Sequence, residues 1–324
     1  MLISVLLFAV GLVLLIKGGD WFVDGATGIA KRFNLPDIVV GATVVSIGTT
    51  LPEVMVSTTG ALAGSGAMAY GNAIGSIICN TALIAAISIT CNPGPVNVKS
   101  MKTPAVFFFL SAAIYCLAAY GLGTFPRWLG FVMLTIFVIY MVMTVRNGMK
   151  NPDTASEEEE EDGKSKQLWQ ELLLLIAGAA VIAVGADLLV DHGQIIAIGL
   201  GVPETVVALL FVALGTSLPE LVTTITSLKK GRASLGVGNV IGANIFNLVL
   251  VSGVAVSLAP FDVPCENTLL NTGLNLSLVF DIPVMLGVMS LMIFPALLGK
   301  KLSRWQGILL LCIYAAFCVC QFML

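Results

Sequence analysis

Two glutamates, each preceded by Gly-Thr-x-Leu-Pro, are the residues best suited to chemistry in this sequence. Glu53 ends the segment SIGTTLPE (46–53), and Glu220 ends the segment ALGTSLPE (213–220). Both stand in apolar stretches, where an ionised side chain at the bilayer centre costs about 2.5–3.5 kcal/mol on insertion scales. Neither stretch contains Lys or Arg, so we expect a mobile cation to pair with the carboxylates. Two protonated, structural glutamates are the alternative, but they leave the matched hydroxyls and prolines unexplained.

The prolines in these segments are expected to disturb their helices. Proline lacks an N–H and clashes with the carbonyl four residues earlier, that of Gly48 for Pro52 and that of Gly215 for Pro219. Because glycine tolerates unusual dihedrals, we predict a kink or unwinding across 46–49 and in the matching segment. Freed carbonyls would then line a buried cavity. The residues that share a helical face with the glutamates are Thr49, Ser57, Thr216 and Thr224.

A second pair of motifs, GNAIGSIICN (71–80) and GNVIGANIFN (238–247), carries asparagines within apolar stretches. The first motif has a polar stripe at four-residue spacing, and the second repeats it with alanine in the middle. These positions are Asn72, Ser76 and Asn80, then Asn239, Ala243 and Asn247. A single asparagine could simply hydrogen-bond neighbouring helices, but a matched pair predicts ligands or ligand support facing the glutamates. The glycines Gly71, Gly75, Gly238 and Gly242 should allow close helix approach.

All of these donor groups are oxygens. No cysteine or histidine recurs symmetrically, which argues against zinc or copper. Calcium takes about 6–8 oxygen ligands at roughly 2.3–2.6 Å, and sodium accepts similar ligands. Two ionised glutamates neutralise one calcium ion or two sodium ions, so competition for one acidic site would couple the movements of the two ions. We predict no cofactor apart from these transported ions, and no enzyme activity.

The elements that position these motifs are predicted to be transmembrane helices. Apolar residues make up 57% of the 324 residues and charged residues 11%, whereas soluble chains carry about 25% charged residues. This composition excludes a soluble enzyme, and no basic patch offers a nucleic-acid partner a binding surface. A span needs about 20 apolar residues. We predict ten spans: 2–18, 37–62, 69–90, 104–121, 128–146, 169–190, 204–228, 236–258, 275–299 and 305–323.

The basic residues orient these spans. Of the 16 Lys and Arg residues, 14 lie in odd-numbered loops, which are therefore predicted to be cytoplasmic. Both termini then face outward in a multi-pass cell-membrane protein, and the first span, which lacks a basic n-region, is retained. The fifth loop contains an acidic run of seven carboxylates between 153 and 162, which we interpret as a solvated cytoplasmic linker.

An internal repeat relates the two halves of the chain. Residue i matches residue i+167 without a gap from residue 20 to residue 80, including both motif pairs. This predicts a first five-helix repeat (1–147), an acidic linker (148–167) and a second five-helix repeat (168–324). Because each half has an odd number of spans, the repeats should be inverted, with broken helices meeting at the midplane. The predicted fold is thus an all-α polytopic membrane protein of ten transmembrane helices in two inverted-topology repeats.

The paired motifs resemble the sodium/calcium exchanger branch of the calcium/cation antiporter superfamily, and in particular its prokaryotic calcium/sodium antiporters. The resemblance covers most of the chain and implies exchange of external sodium for cytosolic calcium by alternating access. It implies that Glu53 and Glu220 are central calcium ligands and that carbonyls of Ser46 and Ala213 serve flanking sodium sites. The other residues that it implicates are Thr49, Thr50, Thr216, Ser217, Ser76 and Asn80.

Two positions depart from the pattern of the family. Asn247 stands where some members carry Asp, and Ala243 where some carry Ser, so the site has two carboxylates. The alternatives are a proton-coupled calcium/cation exchanger, a channel and a membrane enzyme. Inverted halves around one acidic site favour an antiporter. We expect it to act as a monomer in the lipid bilayer, with sodium and calcium as its partners.

Overall fold

Ten helices are present in the residues that the computed structural model describes, namely 2–150, 167–200, 215–264 and 275–323. They are α1 (Leu2–Arg32), α2 (Asp37–Leu62), α3 (Gly66–Cys91), α4 (Val98–Leu122), α5 (Arg127–Lys150), α6 (Leu168–Gly199), α7 (Leu218–Lys229), α8 (Ala233–Leu258), α9 (Ser277–Gly299) and α10 (Arg304–Met323). Within those ranges, nine are long and apolar enough to cross a membrane. The exception is α7, because the first part of its predicted span lies outside the described residues. The all-α, polytopic membrane class is confirmed.

Helices α1 and α6 extend well beyond their predicted spans, 2–18 and 169–190, to 31 and 32 residues. Charged residues end the apolar run of α1, but the helix continues to Arg32, and on this extension Asp24 Oδ1 lies 2.7 Å from Lys230 Nζ. The two helices pack closely and antiparallel through glycines. The contacts are Gly11 with Gly185 and Gly18 with Gly178.

Two short antiparallel strand pairs tie the loops together. Strand β1 (Gly94–Pro95) pairs with β4 (Lys301–Leu302), and β2 (Thr124–Phe125) pairs with β3 (Phe261–Asp262). Each pair is extended by one backbone hydrogen bond of 3.0 Å, from Val96 N to Lys300 O and from Val263 N to Gly123 O. Strands β1 and β3 follow the third helix of each half, α3 and α8, and strands β2 and β4 follow the fourth, α4 and α9. The two strand pairs are therefore equivalent: exchanging the halves converts one into the other.

The loops separate onto two faces of the helix bundle according to their number. The first loop meets the seventh through the ion pair of Asp37 with Arg232 (3.2 Å). It reaches the fifth through Arg32, whose Nε lies 3.0 Å from Glu171 at the start of α6, and β1·β4 joins the third loop to the ninth. On the other face, β2·β3 joins the fourth loop to the eighth. Among the described residues, this pattern agrees with the predicted alternation of loops.

Buried aromatic side chains hold the central helices in place. The ring centroids of Tyr115 and Phe125 lie 4.7 Å apart, and those of Phe125 and Phe261 lie 5.3 Å apart. On α5, the Tyr140 hydroxyl donates a 2.8 Å hydrogen bond to the Ala42 carbonyl, while its ring lies edge-on to that of Phe246 on α8. Tyr140 therefore fixes α2 against α8, and these two helices carry much of the candidate site.

Candidate ion-binding site

The two glutamates meet inside the helix bundle. Glu53 on α2 and Glu220 on α7 are both 0% exposed, and they lie close enough to interact electrostatically. None of their four carboxylate oxygens has a hydrogen-bond partner among the described residues. The ion pairs found in the same residues involve other acids: Asp20, Asp24, Asp37 and Glu171. The centre is thus acidic, buried and not neutralised by a described basic side chain.

Threonines and asparagines connect the two halves across this centre. Thr49 Oγ1 donates to Asn239 Oδ1 at 3.1 Å, and Thr216 Oγ1 donates to Asn72 Oδ1 at 3.3 Å. The two bonds are equivalent under the 167-residue repeat, so each half supplies one donor and one acceptor. Thr49 also lies beside the Glu220 carboxylate. The predicted stripes therefore do face the motifs that contain the glutamates.

Asn80 and Asn247 each begin a π-helical segment, Asn80–Ala85 in α3 and Asn247–Val251 in α8. Such segments occur frequently at functional sites because they shift the helix register locally. The α3 segment contacts α7, and the α8 segment contacts α2. Both side chains are fully buried, and Asn80 Oδ1 and Asn247 Oδ1 have no hydrogen-bond partner in the described residues. They therefore add neutral oxygen acceptors near the two glutamate-bearing helices.

Close approach of α2 and α8 depends on glycine. A Cβ atom on Gly242 would lie 2.6 Å from Ala42 Cα and overlap the Ser46 hydroxyl, and one on Gly238 would overlap the Ile38 carbonyl. The predicted close contact is confirmed for these two glycines. For Gly71 and Gly75, no described atom lies within 4 Å of such a Cβ. The segment that the repeat places opposite them lies outside the described residues, so their contact stays a prediction.

The predicted unwinding across 46–49 is wrong. Residues Ser46–Leu62 form an α-helix that includes Pro52, and the departure from α-helical geometry comes one turn earlier, in the π-helical segment Gly41–Val45. The Ser46 hydroxyl holds this arrangement by donating to Gly41 O at 2.8 Å and to Asn239 O at 3.0 Å. Local π-helical adjustment accommodates a proline inside a transmembrane helix. Gly48 serves packing here: a Cβ would lie 2.9 Å from the Phe22 ring.

In the second motif, the segment predicted to unwind, 213–216, lies partly outside the described residues. Thr216 and Ser217 form a turn, and α7 begins at Leu218 with Pro219 in its first turn. Proline is favoured there because the first N–H groups of a helix have no internal partner. Ala213, the predicted partner of Ser46, lies outside the described residues.

The remaining predicted site residues are mostly buried. Thr50, Ser76 and Ser217 are at most 3% exposed, whereas Thr216 is half-buried. The hydroxyls of Thr50 and Ser217 have no hydrogen-bond partner within the described part of the chain. In the same part, no three His, Cys, Asp or Glu residues cluster, so any cation held here would depend on two carboxylates and neutral oxygens.

Sequence reasoning missed one buried polar cluster. Asn244 Nδ2 donates to Thr81 Oγ1 at 2.7 Å and to Met289 Sδ at 3.1 Å. The repeat equivalents of Asn244 and Thr81 are Ile77 and Leu248, both apolar. A search for matched polar residues therefore passes over Asn244, although it lies within the second asparagine motif.

A bundle of long apolar helices around a buried acidic centre defines a multi-pass membrane protein. A model of the family described as sodium/calcium exchanger protein matches residues 3–146 and 171–323. The chain therefore belongs to the sodium/calcium exchanger family of ion antiporters.

Several relatives match almost the whole chain. An uncharacterized membrane protein of Methanocaldococcus jannaschii is 35% identical over 309 residues, covering 95% of this chain and 94% of that protein. The sodium/calcium exchanger MaX1 of Methanosarcina acetivorans is 28% identical over 359 residues, covering 99% of each chain. A solved structure of the sodium-calcium exchanger NCX_Mj, soaked with zero sodium and calcium, is 33% identical with a TM-score of 0.79 and covers 97% of each chain.

Proposed function

We propose that this protein exchanges sodium for calcium by alternating access, with both ions bound in turn at the Glu53–Glu220 centre. The observation that carries the proposal is the pair of fully buried carboxylates whose oxygens have no partner among the described residues. Burying an unpaired charge is costly unless it is compensated. One calcium ion or two sodium ions would neutralise the pair, so occupancy by one ion excludes the other.

The proposed ligands combine these carboxylates with neutral oxygens. Calcium needs about 6–8 oxygen ligands, more than two glutamates supply. We assign the others to hydroxyls, amide oxygens and backbone carbonyls on α2, α3, α7 and α8. They come from Thr49, Thr50, Thr216, Ser217, Ser76, Asn80 and Asn247, with carbonyls of Ser46 and Ala213 serving the flanking sodium sites.

We further propose that the two five-helix halves are inverted repeats. Three observations support this: the antiparallel glycine contacts of α1 with α6 are equivalent under the 167-residue offset, the two strand pairs interchange when the halves are exchanged, and the Thr–Asn bonds form a matched pair. In inverted-repeat transporters, the site lies where the repeats meet, and moving one bundle against the other exposes it alternately to each side.

Orientation in the cell membrane can be tested by labelling. With the basic loops in the cytoplasm, accessible cysteine labels near Gly66 and Cys265 should react from outside. Labels at Ser156, in the acidic linker, and at Lys230 should react from inside. Finding Gly66 and Lys230 on the same side would overturn the inverted arrangement and the placement of both termini outside.

The names of the relatives support the choice of ions. The Methanosarcina relative is named a sodium/calcium exchanger, and similar structures of NCX_Mj were solved after soaks with sodium, calcium or strontium. These are oxygen-preferring cations, in agreement with the donor atoms around Glu53 and Glu220.

The decisive experiment is calcium uptake into vesicles that contain the purified protein. An outward sodium gradient should drive calcium uptake, and an equal choline gradient should not. If a proton gradient drives uptake without sodium, the protein is a proton-coupled calcium exchanger instead. Uptake that depends on neither gradient and continues to electrochemical equilibrium would indicate a channel.

A further inference from the structure

A basic cavity lies at the corner where β1 meets β4. Its volume is about 520 Å³, and it is lined by residues 93–95 and 299–304. Three cationic side chains, Lys300, Lys301 and Arg304, line one side of it. None of the three forms a salt bridge within the described residues, and no acidic residue lines the cavity. This is a concentrated positive charge without a described counter-ion.

The backbone at Lys300 strengthens the case for a ligand. Lys300 follows the last residue of α9 with φ 54°, in the left-handed region, which disfavours residues other than glycine. Gly123 occupies the equivalent position after α4, with φ 68°, and accepts the equivalent backbone hydrogen bond. The first half thus uses the unstrained residue, while the second half keeps a lysine despite the strain. Strain of this kind at a particular residue points to a role for its side chain.

The other strand pair, β2·β3, shows that this backbone arrangement does not require three basic side chains. Arg127 and Arg304 make equivalent contacts, with Arg127 Nη2 donating to Leu258 O at 3.1 Å and Arg304 Nε donating to Thr90 O at 3.0 Å. Yet the corner at β2 and β3 has Asp262 in its strand and no lysine. The same backbone arrangement therefore forms without a cluster of three cations.

The side chains around the cavity are of the kinds expected at a membrane surface. Trp305 is 52% exposed and Leu298 is 85% exposed, and exposed tryptophans gather at the boundary between headgroups and acyl chains. The first turn of the 20-residue helix α10 also lies here, and helix N-termini favour anions. An anion bound to these lysines would therefore have acyl chains within reach of the adjacent apolar side chains.

We propose that the β1·β4 corner binds the phosphate headgroup of an anionic phospholipid, with Lys300, Lys301 and Arg304 as its cationic contacts. Basic pockets between transmembrane helices bind such headgroups, and each Lys or Arg near the surface adds enough attraction to enrich an anionic lipid about fivefold. The proposal does not depend on which ions the protein transports.

Tryptophan quenching tests this in the full-length protein. One variant keeps only Trp305, with Trp21, Trp128 and Trp169 replaced by Phe, and is placed in phosphatidylcholine vesicles. A minor fraction of brominated phosphatidylglycerol should quench Trp305 more strongly than the same fraction of brominated phosphatidylcholine. The matched variant that keeps only Trp128, at the opposite corner, should show no such preference. Equal quenching of Trp305 by both lipids would overturn the proposal.

Charge variants in the Trp305 protein identify the contacts. Lys300→Gly relieves the strained backbone, so it should fold at least as well as the parent, yet we expect it to lower the preference for phosphatidylglycerol about fivefold. Lys301→Gln should do the same. Lys102→Gln is the control, since Lys102 is exposed but does not line the cavity, and it should change nothing. An unchanged preference in Lys300→Gly would mean that the lysines only orient the chain.

Free phosphate is the other source of the same chemistry. We therefore add inorganic phosphate to the vesicles and compare it with a chloride salt at equal ionic strength. Phosphate should leave the preference of Trp305 for brominated phosphatidylglycerol unchanged. A specific loss of that preference with phosphate would assign the corner to a soluble anion and overturn its assignment to lipid.

Discussion

The two copies of the Gly-Thr-x-Leu-Pro-Glu motif fold differently although only their third residue, Thr50 or Ser217, differs. In α2 the motif lies in continuous helix and the irregular turn comes before it, at Gly41–Val45. In the second copy, Thr216 and Ser217 form a turn and helix α7 starts at Leu218. Ser46 explains part of the contrast because its hydroxyl bonds to Gly41 O and Asn239 O. Its repeat equivalent, Ala213, has no hydroxyl.

The hydrogen bonds of the two matching asparagines, Asn72 and Asn239, also differ between the halves. Asn72 Nδ2 donates to the Glu53 carbonyl at 3.2 Å and to Ser57 Oγ at 2.8 Å. Asn239 Nδ2 and the Thr224 hydroxyl, the matching groups beside Glu220, have no hydrogen-bond partner in the described residues. The first glutamate segment is therefore tied to α3 more firmly than the second is to α8. Such a difference is what the proposed alternating access requires, because inverted halves must differ in conformation whenever the site opens to one side only.

The largest effect should come from removing either carboxylate. We expect Glu53→Gln and Glu220→Gln each to abolish calcium exchange, because the swap keeps shape and an oxygen donor but removes one charge. Leaving a buried charge without its partner costs about 3–5 kcal/mol, so an occluded calcium ion would be poorly neutralised. Radioactive calcium exchange in vesicles measures this. Near wild-type exchange in either folded variant would make the carboxylates structural and turn attention to the asparagine stripes.

The second largest effect should come from crowding the close contact of α2 with α8. Gly242→Ala places a methyl group against Ala42 and the Ser46 hydroxyl, and such overpacking typically costs about 1–3 kcal/mol. We expect a clear drop in thermal stability in detergent, together with slower exchange. Gly75→Ala is the repeat equivalent in the other half, where the segment expected to oppose it lies outside the described residues. Equal losses in the two variants would show that both halves pack alike at this crossing.

Asparagine-to-aspartate changes test the unequal hydrogen bonding. Asn72→Asp loses donors to both Glu53 O and Ser57 Oγ, and each hydrogen bond is worth about 0.5–1.5 kcal/mol. Asn239→Asp keeps the acceptor used by Thr49. Asn239 is fully buried and Asn72 half-buried, so an ionised aspartate would cost more at 239. The comparison is therefore made at a pH low enough to protonate the new carboxyl groups, where Asn72→Asp, which still loses at least one of its two bonds, should have the lower melting temperature. Identical melting temperatures would show that the two bonds of Asn72 do not hold the first glutamate segment more firmly than the second.

The smallest effects are expected at the asparagines of the π-helical segments. Asn80→Ala should slow exchange without abolishing it, because it removes a neutral oxygen and leaves both charges. Asn247→Asp should be tolerated or should change the dependence on sodium, since it adds a carboxylate that some relatives carry. Exchange rates across a sodium titration distinguish these outcomes. Complete loss of exchange in Asn80→Ala would show that Asn80 is as essential for exchange as the glutamates.

The sequence by itself determined the membrane class, the repeat and the identity of the motif residues. Apolar runs broken by few charges define helices in a bilayer, since unpaired backbone groups are not tolerated there. One constant offset between rare polar residues reveals the duplication. Glu53, Glu220, Asn80 and Asn247 are buried, and the bond of Thr49 to Asn239 agrees with the prediction that the asparagine stripes face the glutamate motifs. The identity of the bound ions and the full ligand set stay predictions.

Tertiary structure decided how each copy of the motif folds. Pro52 predicts a disturbed helix from local rules, yet Ser46–Leu62 stays α-helical, and the irregular turn lies before it, where the Ser46 hydroxyl reaches Asn239 O on α8. The same holds for Asn244, whose partners Thr81 and Met289 come from α3 and α9. Local propensity and spacing carry no information about such partners, because residues far apart in the chain become neighbours only when the helices pack.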